Sequence, residues 1–148
     1  MTINNPIIVH GLDDLDTAAA AVAQAMEATG CTVVTFDGEM GAGKTTLIRR
    51  IVDRLGADGS DSANSPSFAI ANDYGTDSAG RTVYHFDLYR LESAEEALDI
   101  GFGDYLDSGD VCLIERPDRA EELLPLHRLN VAITLLPDRS RAITVEEL

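Results

Sequence analysis

The one lysine of this 148-residue chain, Lys44, sits inside Gly38-Glu39-Met40-Gly41-Ala42-Gly43-Lys44-Thr45, a complete G-x-x-x-x-G-K-T pattern. Glycines in such a turn let successive backbone N–H groups converge on one cavity, and the positive end of the following helix faces the same space. The occupant this chemistry selects is a phosphate. Lys44 is spaced to reach the β- and γ-phosphates of a nucleotide, the Thr45 hydroxyl to ligate Mg²⁺, and Thr46 to donate to the α-phosphate from the first helical turn. Glu39, Met40, Gly41, Ala42 and Gly43 supply the backbone of the cradle.

Phosphoryl chemistry also needs carboxylates, to hold a metal ion or to orient water. Glu115 closes the apolar run Val111-Cys112-Leu113-Ile114, the placement of a Walker-B acid, and Asp87 closes Val83-Tyr84-His85-Phe86 in the same way. Ligands of open α/β sheets bind beyond the carboxyl ends of the strands, so both acids should face the crevice of the Gly38 loop. Glu115 can hold Mg²⁺ directly, hold it through water, or orient the attacking water. His85 shares a strand face with Asp87, either as a structural hydrogen-bonding group or as a participant.

These residues need a frame. Cys31 to Phe36 reads as a buried strand entering the loop, and Thr45 to Leu55 as a helix with Leu47, Ile48, Ile51 and Leu55 inward. A short strand is expected at Ile7 to Val9, followed by a helix from about Leu15 to Ala28 that Asp13, Asp14 or Asp16 would cap. Gly56 to Ser65 reads as a loop. Phe68 to Tyr74 and Thr82 to Phe86 suggest a hairpin, Ala94 to Leu98 and Phe102 to Leu106 short helices, and Leu129 to Leu135 and Ala142 to Val145 the last two strands. The fold class is therefore α/β: one domain over residues 1–148, three layers, and a central, mostly parallel sheet that becomes antiparallel at an edge.

Hydrophobic residues make up 45% of the chain, with no Trp and few aromatics, so Ala, Val, Leu and Ile should dominate the core. The formal charge of -15 argues against an autonomous nucleic-acid binder. Cys31 and Cys112 have no metal-ligand spacing to a His or a second Cys and read as buried thiols of a reducing compartment. No signal peptide or membrane-length apolar run is evident, so a cytoplasmic location is expected.

Four blocks together carry a resemblance: Gly38 to Thr46, Ser65-Pro66-Ser67-Phe68, His85-Phe86-Asp87-Leu88-Tyr89-Arg90-Leu91, and Leu113-Ile114-Glu115-Arg116-Pro117. In this order they resemble the TsaE family, small ATPases of bacterial tRNA threonylcarbamoyladenosine formation. The resemblance implies a P-loop NTPase fold, with ATP and Mg²⁺ bound by Lys44, Thr45 and Thr46. It puts Ser67 in a switch-like loop and makes Asp87 and Glu115 necessary for hydrolysis or its magnesium site. It also implies TsaD and TsaB homologues as partners, with tRNA reached through that complex and threonylcarbamoylated at adenosine 37 by the partner. The family usually has Thr at Ser67 and Trp at Arg116; Ser keeps the hydroxyl, whereas a guanidinium brings charge to a place where an indole could stack on a base. The alternatives are a small-molecule or nucleoside kinase and a nucleotide-dependent scaffold.

Overall fold

Val33, Val34, Thr35 and Phe36 are all buried, which a strand achieves only in the middle of a sheet with cover on both faces. The computed structural model, which describes residues 6–39, 42–57, 71–88 and 91–148, places them in such a strand. The elements run β1 (Ile7–Val9), α1 (Leu12–Thr29), β2 (Val33–Gly38), α2 (Lys44–Leu55), β3 (Ala71–Thr76), β4 (Thr82–Asp87), α3 (Ala94–Asp99), α4 (Phe102–Asp107) and β5 (Val111–Glu115). A 3-10 segment (Pro117–Leu123), β6 (Leu129–Leu135) and β7 (Arg141–Glu147) follow.

The strands form one sheet in the order β1-β7-β6-β2-β5-β4-β3. The central four, β6, β2, β5 and β4, are mutually parallel. Antiparallel pairing occurs on both flanks, between β3 and β4 on one side and among β1, β7 and β6 on the other. The antiparallel edge strands expected from the sequence are thus found on two flanks. The second arises because β7 returns from β6 by a short turn and then takes β1 as its outer neighbour, with Ile7 opposite Ile143.

Side-chain alternation divides the interior in two. Val34, Phe36, Val83, Val111 and Leu113 face α1 and α2, where Ala18, Ala19, Val22 and Ala25 meet Leu47, Ile48 and Ile51. The small residues of α1 let it lie close to the sheet and to α2. On the other face Val33, Phe86, Cys112 and Ile114 meet Ala97, Phe102, Ala120 and Leu124 from α3, α4 and the 3-10 segment. Aromatics are scarce in the chain but concentrated here: Phe86 packs edge-on against Phe102 and Tyr105 with centroids 5.1 Å and 5.2 Å apart. Ala, Val, Leu and Ile nevertheless predominate on both faces, as composition leads one to expect, and the α1/α2 side holds Phe36 and Tyr74 as well.

Local corrections follow from hydrogen bonding. α1 begins at Leu12 behind Gly11, and none of Asp13, Asp14 and Asp16 is its N-cap. Asp14 instead reaches back to accept the His10 N–H at 3.0 Å, so its charge still lies at the favourable end. Arg50 on α2 pairs with Asp16 on α1 at 3.2 Å in solvent. β3 is described from Ala71 onward, and the Phe68 end of the expected strand lies outside the described residues. Burial, reinforced by Asp110, pushes the Cys112 thiol up to about 12, so it packs as a neutral group. Cys31 is a buried thiol as read, and the β2–β6 pairing brings it a neighbour that sequence spacing did not show: its Sγ lies 3.4 Å from His127 Nε2.

Truncating Phe86 removes the ring on which the α3/α4 face closes. Phe86→Ala is expected to lower unfolding free energy by about 3–5 kcal/mol, read in urea as a lower midpoint at unchanged m. A loss below about 1 kcal/mol would show that this face does not hold the sheet.

Candidate nucleotide-binding site

β2 delivers its last residue, Gly38, against the neighbouring strand so closely that a Cβ there would stand 2.9 Å from the Ile133 carbonyl oxygen. Glycine is required at that point, because any side chain would force β2 away from β6. The chain then turns, with the Ala42 N–H bonded to the Glu39 carbonyl at 3.0 Å, and enters α2 through Gly43 at a φ of 96°. Met40 and Gly41, at the apex of the pattern, and Ser67 lie outside the described residues.

Lys44 is buried and folds back across the turn, its Nζ donating to the Gly38 carbonyl at 2.8 Å. Thr45 and Thr46 are exposed on the first turn of α2. That turn carries no acidic residue, in contrast to α1 with Asp13 and Asp14 and α3 with Glu95 and Glu96. The positive end of α2 is left unneutralised by its own sequence, and the ammonium beside it adds to the same field.

The carboxylates arrive by register. On parallel strands Phe36 pairs with Glu115, and Glu115 with Asp87, so the ends of β2, β5 and β4 stand in one row. Alternation puts Glu115 and Asp87 on the α2 side of the sheet, with Leu113 and Val83 beneath them. Two carboxylates on adjacent strand ends repel unless a cation or donor compensates. Part of that compensation is visible: His85 Nε2 lies 2.6 Å from Glu115 Oε2, both residues being buried. On the far side of the ring the Tyr74 hydroxyl stands 3.5 Å from His85 Nδ1, and the two rings stack. A neutral imidazole with its proton on Nε2 satisfies both contacts, donating to Glu115 and accepting from Tyr74. His85 thereby fixes one Glu115 oxygen.

Arg116 follows immediately with a φ of 57°, turning the chain out of β5 into Pro117. Left-handed backbone at a non-glycine costs about 1–2 kcal/mol, and here it starts the 3-10 segment that covers the α3/α4 face.

One neighbour of the loop was not legible in the sequence. Arg141, the first residue of β7, lies against Gly43: a Cβ on Gly43 would stand 3.2 Å from Arg141 Nε. That nitrogen is buried and has no hydrogen-bond partner among the described residues. Arg141 and Gly43 share a cavity of about 270 Å³ with Thr46, Gly11, Leu12 and Leu15. The cavity is on the β1/β7 side of the loop, whereas Arg116 follows β5 on the other side of β2. A wider, solvent-open cavity of about 700 Å³ lies at the other end of α2, near Arg54 and the Asp77–Arg81 ion pair, and is remote from this chemistry.

Comparison with known proteins agrees with the geometry. Residues 9–143 match the family model for threonylcarbamoyl adenosine biosynthesis protein TsaE. The chain is similar to the tRNA threonylcarbamoyladenosine biosynthesis protein TsaE of Bacillus subtilis, 36% identical over 129 residues covering 87% of this chain and 78% of that protein. The protein of the same description from Rickettsia bellii is 32% identical over 139 residues, covering 94% and 92%. That of Haemophilus influenzae is 39% identical over 93 residues, 63% of this chain and 56% of the relative. Among solved structures, the crystal structure of Bacillus subtilis YdiB superposes with a TM-score of 0.72 at 26% identity, covering 98% of this chain and 86% of that one. With the strand, loop and helix around Lys44 and a family match over nearly its full length, the chain belongs to the TsaE family.

Proposed function

We propose that this protein binds and hydrolyses ATP with Mg²⁺ as the accessory ATPase of tRNA threonylcarbamoyladenosine formation. In this reading it acts with TsaB and TsaD homologues, meets tRNA through that complex, and leaves transfer to the base to its partner. The observation that carries the ATPase reading is the row of strand ends: a phosphate loop on β2 and two in-register carboxylates on β5 and β4, all on the α2 side of the sheet.

Lys44 exchanges its Gly38 carbonyl for phosphate oxygens, and the exposed first turn of α2 offers N–H groups and the Thr45 and Thr46 hydroxyls. The adenine base fits the cavity beside Arg141, whose apolar wall of Leu12 and Leu15 matches a ring face and whose buried Nε lacks an acceptor among the described residues. The residues present suit Mg²⁺, since Thr45 and Glu115 are hard oxygen donors and Glu115 is already oriented by His85. When bound, Mg²⁺ neutralises charge on the phosphates. Asp87 stands beside Glu115 to orient water, and Ser67, outside the described residues, is assigned its hydroxyl role by the family resemblance.

Reconstitution with the TsaB and TsaD homologues and tRNA, reading phosphate release and modified adenosine in parallel, tests this. Lys44→Ala is expected to depress both by about 10²-fold or more. Undiminished turnover in that variant would remove the assigned site, and a phosphorylated small product in place of free phosphate would make the protein a kinase. Full modification by Asp87→Asn and Glu115→Gln without turnover would make it a scaffold.

His85 has its own signature, because it touches Glu115 and acts on the metal through it. His85→Ala is expected to raise the Mg²⁺ concentration for half-maximal turnover about 10–100-fold while leaving Mg²⁺-free nucleotide binding unchanged. Equal losses with and without Mg²⁺ would assign His85 to folding alone.

A further inference from the structure

At the end of the sheet opposite the Gly38 loop, three chemically distinct donors meet. Gly30 ends α1 in the left-handed region, its N–H bonded to the Met26 carbonyl, and the Cys31 N–H then bonds to Thr29 Oγ1 at 3.2 Å. These contacts fix the buried Cys31 just before β2. His127 precedes β6, and Glu147 ends β7, where it pairs in register with Leu129. The Leu148 N–H bonds to the Arg128 carbonyl at 2.9 Å and ties that end of β7 to the His127 turn.

His127 Nε2 lies 3.4 Å from Cys31 Sγ and 2.7 Å from Glu147 Oε2, and all three donor atoms fall within 4.8 Å of one another. This is not a nucleophilic relay. A cysteine–histidine–carboxylate relay sets the thiol and the acid on opposite ring nitrogens, whereas here both converge on Nε2. One nitrogen holds at most one proton and can satisfy only one of the two neighbours. A cation placed among the three would be satisfied by all of them.

The geometry points to a divalent metal site of the zinc class, with Cys31 Sγ, His127 Nε2 and Glu147 Oε2 as its protein ligands. Tetrahedral zinc with ligand bonds of about 2.0–2.3 Å spaces its donors by roughly 3.4 Å, close to the observed sulfur–nitrogen separation. The nitrogen–oxygen pair must open by roughly 0.7 Å to reach that spacing, which a histidine and a glutamate with 56% and 29% exposed side chains can do. The same exposure gives the ion an entry path and a fourth position for water. Thiolate and imidazole donors select a late divalent transition metal and disfavour Mg²⁺ and Ca²⁺, so the site is chemically separate from the oxygen donors of the nucleotide cleft. An ion here would clamp the amino ends of β2 and β6 to the carboxyl end of β7.

Co²⁺ titration of the chelator-treated full chain, in excess Mg²⁺ to fill hard-cation sites, tests this independently of ATP chemistry. The expected result is a thiolate-to-cobalt charge-transfer band saturating at one equivalent and displaced by Zn²⁺. Cys31→Ser should abolish the band and Cys112→Ala should leave it unchanged. His127→Ala, at an exposed position that does not threaten folding, should weaken Co²⁺ binding by at least about tenfold, the loss that even an outer-shell partner brings. Absence of the band in the wild-type chain, its survival in Cys31→Ser, undiminished affinity in His127→Ala, or displacement by Mg²⁺ would each overturn the assignment.

Discussion

The register that sets Phe36 beside Glu115 and Glu115 beside Asp87 is the constraint on which the rest of this molecule depends. Parallel strands have evenly spaced, slanted hydrogen bonds, so a slip of one residue would turn each affected side chain to the opposite face. Such a slip in β5 would carry Glu115 away from α2 and put Ile114 in the cleft. Unbroken burial along β5 and the paired cores on its two faces prevent it, since Val111 and Leu113 fit one side and Cys112 and Ile114 the other. Packing on the α3/α4 face thus helps to determine where the acids stand.

Electrostatics at the cleft run against the molecule as a whole. A chain of net charge -15 repels a polyphosphate at long range, yet screening limits that repulsion to about 8 Å at physiological salt. Within that distance the local arrangement decides, and beside the two carboxylates it sets a buried ammonium, the unneutralised start of α2, and Arg141 against Gly43. The two carboxylates are tolerated beside these groups because His85 already engages one of them. The site discriminates by proximity where the overall charge would refuse.

Much of this was legible because it is local. The Gly38 pattern, its flanking strand and helix, and the acids ending β4 and β5 are consequences of periodicity and short spacing. Features that require two distant segments were not. Nothing near Arg141 in the chain marks it as a neighbour of Gly43, and nothing near Cys31 announces His127. Both contacts exist only once β7 and β6 are threaded beside β2. The α1 cap was misread for a related reason: Asp13, Asp14 and Asp16 all stand near the helix start, yet Gly11 is the N-cap and Asp14 turns its carboxylate to the N–H of His10. The 3-10 segment, opened by the unusual backbone of Arg116, has no hydrophobic period by which it could have been seen.

The pairing of β1 with β7 carries a consequence for how this protein is made. Ile7 pairs with Ile143, so β1 waits for every element from α1 to β7 to be synthesised before the strand that completes its hydrogen bonds exists. During that interval β1 is an open edge with apolar Ile7, Ile8 and Val9, and β6 has only β2 beside it. Closure of loops this long is slow compared with hairpin formation. The nascent chain therefore passes through a stage in which the phosphate loop and its acids can already be assembled while one flank of the sheet remains sticky, a window in which chaperones or neighbouring nascent chains compete for the same edge.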